Sequence, residues 1–173
     1  MRELVLDRPT GQLDEVLELV CVELQLTDTQ YDAAERSYTT VGEWLGAPDG
    51  RLAIASPEVF AQGSMALGTT VKPREREEFD VDLVCLVEAD WRLLSPVMLY
   101  DLVRDRLREH ATYAKMLVEK ERCLRLDYAG QFHLDIISAC PASKVGVDWG
   151  GLAIVIPDKR REQWIATNPR GFE

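Results

Sequence analysis

Apolar positions recur at helical spacing over residues 10–26, where Leu13, Val16, Leu17, Val20 and Leu24 form one stripe and Thr10 stands as an N-cap candidate. A second helix is predicted from about residue 28 to 45. Thr27 and Gln30 have capping-box spacing there, and Tyr31, Ala34, Tyr38, Val41 and Leu45 share a face. Gly46, Pro48 and Gly50 end it. Both stripes are expected to be core, so the two helices read as a packing layer. After them the apolar period shortens to that of strands. Residues 58–64 and 80–88 read as strands on either side of the loop-like GTTVKPRERE. Ser95-Pro96 opens a helix running to about His110, with Leu99, Leu102, Val103 and Leu107 inward. Residues 115–119, 123–128 and 131–140 are further strand candidates, the last two flanking a turn at Ala129-Gly130. An apolar run over 152–156 stops at Pro157, and a helical piece around 161–166 precedes Asn168-Pro169. The predicted class is α+β in one domain: helices over residues 1–50, then a mixed sheet with an inserted helix over 51–173.

Charge and composition narrow the partners. The chain has 173 residues with 30 acids against 20 bases, a net charge of -10, and 46% hydrophobic residues, which is the profile of a globular domain. The acids are concentrated at the front: residues 1–50 hold 11 acids and 3 bases, and the rest hold 19 and 17. Such a front end repels a phosphate backbone, so duplex nucleic acid is an unfavourable partner. The balanced remainder leaves room for a small anionic ligand. No apolar run reaches the roughly 18 residues of a membrane span, and MRELVLDRP carries charges where a signal peptide is apolar. The four cysteines (Cys21, Cys85, Cys123, Cys140) form no CxxC pair and three lie in apolar runs. They read as buried thiols in a reducing cytosol.

Two local patterns bear on chemistry. Residues 63–70, GSMALGTT, nearly fit a phosphate-binding GxxxxGK[ST] loop, but Thr69 stands where the lysine must be, so that reading fails. The second pattern is stronger. In EFDVDLVCLV, alternation puts Asp80 and Asp82 on one face and Val81, Leu83 and Cys85 on the other. Two adjacent carboxylates repel each other unless a cation neutralises them, and all-oxygen ligands suit magnesium or manganese. Asp135, inside the apolar FHLDIISAC, is costly to bury unless paired or metal-bound. If its strand lies beside the first, three carboxylates converge.

Gly63-Ser64 at a strand-to-turn junction, Asp80-Val81-Asp82 and then Asp135 on a later strand resemble the polymerase-β-like nucleotidyltransferases. QGSMALGTTVKP, EFDVDLVC, LDYAGQFHLDIISACP and WIATNPRGF are similar, more narrowly, to the CD-NTases. These are the bacterial relatives of cyclic GMP-AMP synthase that make cyclic oligonucleotides in anti-phage signalling. The resemblance implies that Asp80 and Asp82 bridge two Mg²⁺ ions, for which Mn²⁺ can substitute. Asp135 would complete the site of the ion that activates the attacking hydroxyl. Ser64 and the backbone at Gly63 would hold the terminal phosphates of a nucleoside triphosphate, with Gln62 a further candidate contact. His133 is expected to be structural, Lys72 and Arg74 to lie in a solvated loop, and Glu77 and Glu78 to be surface residues.

The implied product is a cyclic di- or trinucleotide, released with pyrophosphate in the cytoplasm. Relatives of this kind carry a C-terminal helical lobe after the NPxGF segment. This chain ends at Gly171-Phe172-Glu173, so the lobe is expected to be missing and activity reduced or lost, with that lobe or a regulatory protein as partner. Two alternatives stand beside this reading: nucleotidyl transfer to an RNA or protein acceptor, and a non-catalytic module that binds nucleotide or protein.

Overall fold

Strand β2 (Phe79–Leu86), which carries Asp80 and Asp82, runs through the middle of a mixed sheet. The computed structural model describes residues 7–74, 77–142 and 153–172. In chain order the elements are α1 (Asp7–Leu24), α2 (Asp28–Gly46), β1 (Glu58–Gln62), the short turn of helix α3 (Gly63–Ala66), β2, α4 (Pro96–Arg108) and α5 (Tyr113–Met116). β3 (Leu117–Glu119), β4 (Leu124–Tyr128), β5 (Phe132–Pro141), β6 (Ile154–Asp158) and β7 (Gln163–Thr167) follow. The main path is β1-β2-β5-β4-β3, with β6 joined to the end of β5 and β7 to β6. Among the described residues, only β2 and β5 pair in parallel; the other strand pairings are antiparallel. The α+β class and the mixed sheet expected from the sequence are what the chain adopts.

Alternation along the central strands splits the sheet into two unlike faces. Val81, Leu83 and Cys85 of β2, Leu134 and Ile136 of β5, and Leu124 and Leu126 of β4 are fully buried. They pack with Ala34, Val41 and Leu45 of α2 and Leu99, Tyr100, Val103 and Leu107 of α4. Among the described residues the other face has a small apolar patch (Val84, Leu86, Ala139 and Ile154 with Phe60 and Ile156 against it), and its opposite end carries Asp80, Asp82 and Asp135. Caps place both packing helices. Thr27 and Gln30 close the predicted capping box at 3.0 and 3.3 Å, and the Ser95 hydroxyl accepts from the Met98 N–H at 3.1 Å ahead of Pro96.

Four sequence expectations are corrected here. Residues 161–166 are not helical: β7 pairs antiparallel with β6, Ile165 opposite Ile156. The turn between them is fixed by Asp158, whose carboxylate accepts from the Arg161 N–H at 2.9 Å and from Arg122 at 2.9 and 3.1 Å. Helix α1 already includes Asp7, so Thr10 lies within it and is no cap. Its stripe is not core either. Leu13, Val16, Leu17, Val20 and Leu24 are 43–58% exposed, and α1 is tied to the body at its end, where Lys72 N–H donates to the Leu24 carbonyl. Cys21 on that helix is exposed, while Cys85 and Cys140 are buried as expected and Cys123 is partly covered.

Arg106, 4% exposed, locks α4 to α2. Its Nε and Nη2 donate to the Trp44 carbonyl at 3.2 and 2.9 Å, and its guanidinium lies 3.8 Å from the centre of the Trp44 ring. The Trp44 indole N–H donates back to the Arg106 carbonyl at 3.0 Å. Replacing Arg106 by Leu leaves the Trp44 carbonyl, among the described residues, with only the long Ala47 N–H contact at 3.4 Å, removes the guanidinium from the Trp44 ring, and is expected to cost about 2–3 kcal/mol, measured by urea unfolding. A change below about 0.5 kcal/mol would contradict this role.

Candidate active site: three carboxylates and a glycine turn

The polar end of the open face is assembled by strand register. Asp82 lies opposite Asp135 in the parallel β2–β5 pair and opposite Gln62 in the antiparallel β1–β2 pair. Arg125 of β4 lies opposite Asp135 on its other side. Gln62, Asp82, Asp135 and Arg125 therefore form one row across four strands. The row beside it is Asp80, His133 and Asp127. The two acidic strands are neighbours, as the expected convergence required, and Asp80, Asp82 and Asp135 share one face, although their carboxylate oxygens do not all come within 4.8 Å of one another.

Burial and charge act on these groups unequally. Burial pushes the Asp82 carboxyl above the usual carboxylate range; the Asp135 and Asp80 charges push the same way, and Arg125 opposes them. Arg125 grips Asp135 with two bonds, Nε to Oδ1 at 2.7 Å and Nη2 to Oδ2 at 2.8 Å, and Nη2 also reaches Asp80 Oδ1 at 3.0 Å. Cys123 sits against the same cluster, its thiol pushed up to about 12, mainly by burial and then by Asp135.

Gly63 lets the turn after β1 come down onto Asp82. Its φ is +65°, and a Cβ there would lie 2.7 Å from Asp82 Oδ2. Ser64 follows at once, its Oγ accepting from the Thr70 hydroxyl at 3.0 Å. Thr70, Lys72 and Arg74 join Ser64, Asp80 and Asp82 around a cleft of about 580 Å³, a size suited to a small-molecule ligand. Lys72 and Arg74 are exposed in a loop, as expected, and that loop forms the rim of the cleft. Glu77 is exposed and also lines the cleft.

His133 and Glu78 form a flanking pair. His133 Nε2 lies 2.9 Å from Glu78 Oε2, and Glu78 Oε1 accepts from the Gly130 N–H at 2.6 Å. Glu78 therefore ties the head of β2 to the β4–β5 turn and is no simple surface residue, while His133, expected to be a satisfied structural histidine, is paired at Nε2 but has a buried Nδ1 without a hydrogen-bond partner among the described residues. Among the described residues, Glu78, Asp127 and His133 are the group whose ligand atoms all come within 4.8 Å of one another. The residue the sequence reading missed is Arg125. Its signal was available: alternation in CLRLDY puts Arg125 and Asp127 on one face and Leu124 and Leu126 on the other.

Two substitutions test this geometry. Asp82 resists ionisation in the ion-free protein, so the stability it contributes is present below the ordinary carboxylate range and is lost as pH rises through its raised value. Asp82→Asn is therefore expected to raise Tm in chelator at neutral pH, with the gain fading below about pH 4. A lower Tm for the variant at neutral pH would contradict this. Gly63→Ala adds a Cβ at a positive φ against Asp82 and is expected to cost about 1–3 kcal/mol in chemical unfolding; a neutral effect would contradict the close approach.

The chain matches the family model of the Second Messenger Oligonucleotide or Dinucleotide Synthetase domain (SMODS) over residues 12–173. It is 29% identical over 170 residues to a c-di-GMP synthase of Roseivirga ehrenbergii, covering 98% of this chain and 44% of that protein. With the cyclic dinucleotide synthase CdnG of Bradyrhizobium diazoefficiens it shares 32% identity over 139 residues, 75% of this chain and 32% of that one. The chain thus spans less than half the length of these curated relatives. The solved structure of that Bradyrhizobium CD-NTase CdnG in complex with GTP superposes with a TM-score of 0.75 at 26% identity, over 96% of this chain and 45% of the other. By sequence and by fold, this chain belongs to the SMODS family, the bacterial CD-NTases of the polymerase-β-like nucleotidyltransferase superfamily.

Proposed function

We propose that the protein is a nucleotidyltransferase that joins nucleoside triphosphates into a cyclic dinucleotide or trinucleotide, with release of pyrophosphate. The observation that carries this reading is the meeting of Asp80, Asp82 and Asp135 on one sheet face, beside the Gly63-Ser64 turn and its cleft. Family membership supports it, as do the cyclic dinucleotide synthases to which the sequence is similar. The proposed setting, a cytoplasmic signal in anti-phage defence, rests on the family resemblance alone. No helix among the described residues is long and apolar enough to cross a membrane.

The residues suit a divalent cation. Two partly buried carboxylates side by side, with a third next to them, are an unfavourable charge arrangement that an oxygen-liganded Mg²⁺ or Mn²⁺ relieves. Asp80 and Asp82 would hold such ions, two in number, and Asp135 would complete the site on the acceptor side. When bound, they supply electrostatic stabilisation of the triphosphate and a lower pKa for the acceptor ribose hydroxyl.

In the reaction, the hydroxyl oxygen of one nucleotide bonds to the α-phosphorus of another. The bridging P–O bond to pyrophosphate breaks, and the hydroxyl proton is lost. Gly63 removes the side chain that would stand between the phosphates and Asp82. The Ser64 hydroxyl, engaged by Thr70, is set for a phosphate oxygen, and Gln62 extends from β1 in the same row as Asp82. Lys72 and Arg74 bring positive charge to the rim of a site otherwise rich in acids.

Incubation with the four nucleoside triphosphates and Mg²⁺ or Mn²⁺, followed by mass spectrometry, is expected to reveal a cyclic oligonucleotide. An Asp80→Asn/Asp82→Asn variant should make about a hundredfold less or none. Equal product from both chains, or none from the unaltered chain with either ion, would contradict synthesis by this chain.

A further inference from the structure

The carboxylates proposed above as metal ligands do not face one another bare. Arg125 donates to both oxygens of Asp135, at 2.7 and 2.8 Å, and to Asp80 Oδ1 at 3.0 Å, so one guanidinium spans the two strands. Its place is set by the backbone, because Arg125 is the register partner of Asp135 in the β4–β5 hairpin. The side chain is 22% exposed and Asp135 is 14% exposed, so the pair is shielded far more than a surface ion pair. Asp82, in the same row, has no ion-pair partner of its own among the described residues.

We propose that Arg125 is a positioning residue that takes the place of a divalent cation between Asp80 and Asp135 and must release these carboxylates when the ion binds, thereby setting the metal affinity of the site. The inference rests on the reading of Asp80, Asp82 and Asp135 as metal ligands. Three physical facts support it. A guanidinium does not lose its proton in a protein, so Arg125 cannot leave the site by becoming neutral and has to swing away. Its fork engages both Asp135 oxygens, the strongest form of carboxylate pairing, and these are the oxygens an ion would use. With all three acids ionised, Arg125 also brings the local charge from -3 to -2, which holds the ion-free carboxylates close together and weakens the field that draws a dication in.

The direction of the effect separates this role from simple bracing. Mn²⁺ binding, read by electron paramagnetic resonance of the free ion and by calorimetry, would be measured for the unaltered chain, Arg125→Gln and Arg125→Lys. The Gln variant is expected to bind Mn²⁺ about tenfold or more tighter, the scale of removing one opposing unit charge beside a dication in a half-exposed site. Its Tm should be lower in chelator and should rise more with Mn²⁺ than that of the unaltered chain. The Lys variant keeps the charge without the fork and is expected to fall between. It carries the test by itself if the Gln variant does not fold without metal. Unchanged or weaker binding in the variants overturns the role of Arg125 while leaving the metal centre standing. No Mn²⁺ binding by any of the three chains overturns the metal-ligand reading, and the inference with it.

Discussion

The constraint on which the site depends is the crowding of like charge where β2 and β5 run side by side. Parallel pairing puts Asp82 directly opposite Asp135, with Asp80 one step along the same face. Carboxylates this close, one of them with its pKa raised by burial, are tolerated only with a cation among them. In the ion-free protein that cation is Arg125. Parallel neighbours cannot be joined by a tight turn, so the chain must leave β2, cross over through α4 and return through β3 and β4 before it can lay down β5. The same detour that makes the parallel pair also delivers Arg125 against Asp135.

The two faces of the sheet divide the work. Helices α2 and α4 cover one with aliphatic and aromatic side chains, and the Arg106–Trp44 clamp fixes them to each other. That buried layer makes the central strands rigid, which allows carboxylates on the opposite face to be held at fixed separation. The open face is apolar only where Val84, Leu86, Ala139 and Ile154 meet, and polar at the start of β2 where the cleft lies. A rigid strand, a glycine turn that descends on it and an open cleft in front are the ordinary ingredients of a preorganised site.

Much of this was legible from residues alone. Alternation in EFDVDLVC and FHLDIISAC located the acids and their shared faces, and the Thr27–Gln30 and Ser95-Pro96 signals located both packing helices. The failures have physical causes. The stretch over 161–166 is held as a strand by pairing with β6 and by the Asp158 turn, a tertiary effect that local spacing does not encode. The α1 stripe has the right periodicity for burial, but periodicity says only that a face is apolar and not what covers it. Alternation in CLRLDY gives the face that Arg125 takes, but its partner is set by register: Gly130, at φ +75°, sets a turn that pairs Tyr128 with Phe132 and so Arg125 with Asp135. The seating of Gly63 on Asp82 likewise depends on the β1–β2 register, while the family resemblance had pointed to both residues without that contact.

The most direct test of the account is a crystal structure of the protein grown with Mn²⁺ and a non-hydrolysable nucleoside triphosphate, with the ion located by its anomalous scattering. The account predicts anomalous density against Asp80 and Asp82, phosphate oxygens beside Ser64, and Arg125 withdrawn from Asp135. Density at Glu78, Asp127 and His133 instead, or nucleotide bound with Arg125 still bridging Asp80 and Asp135 and no ion between them, would contradict it.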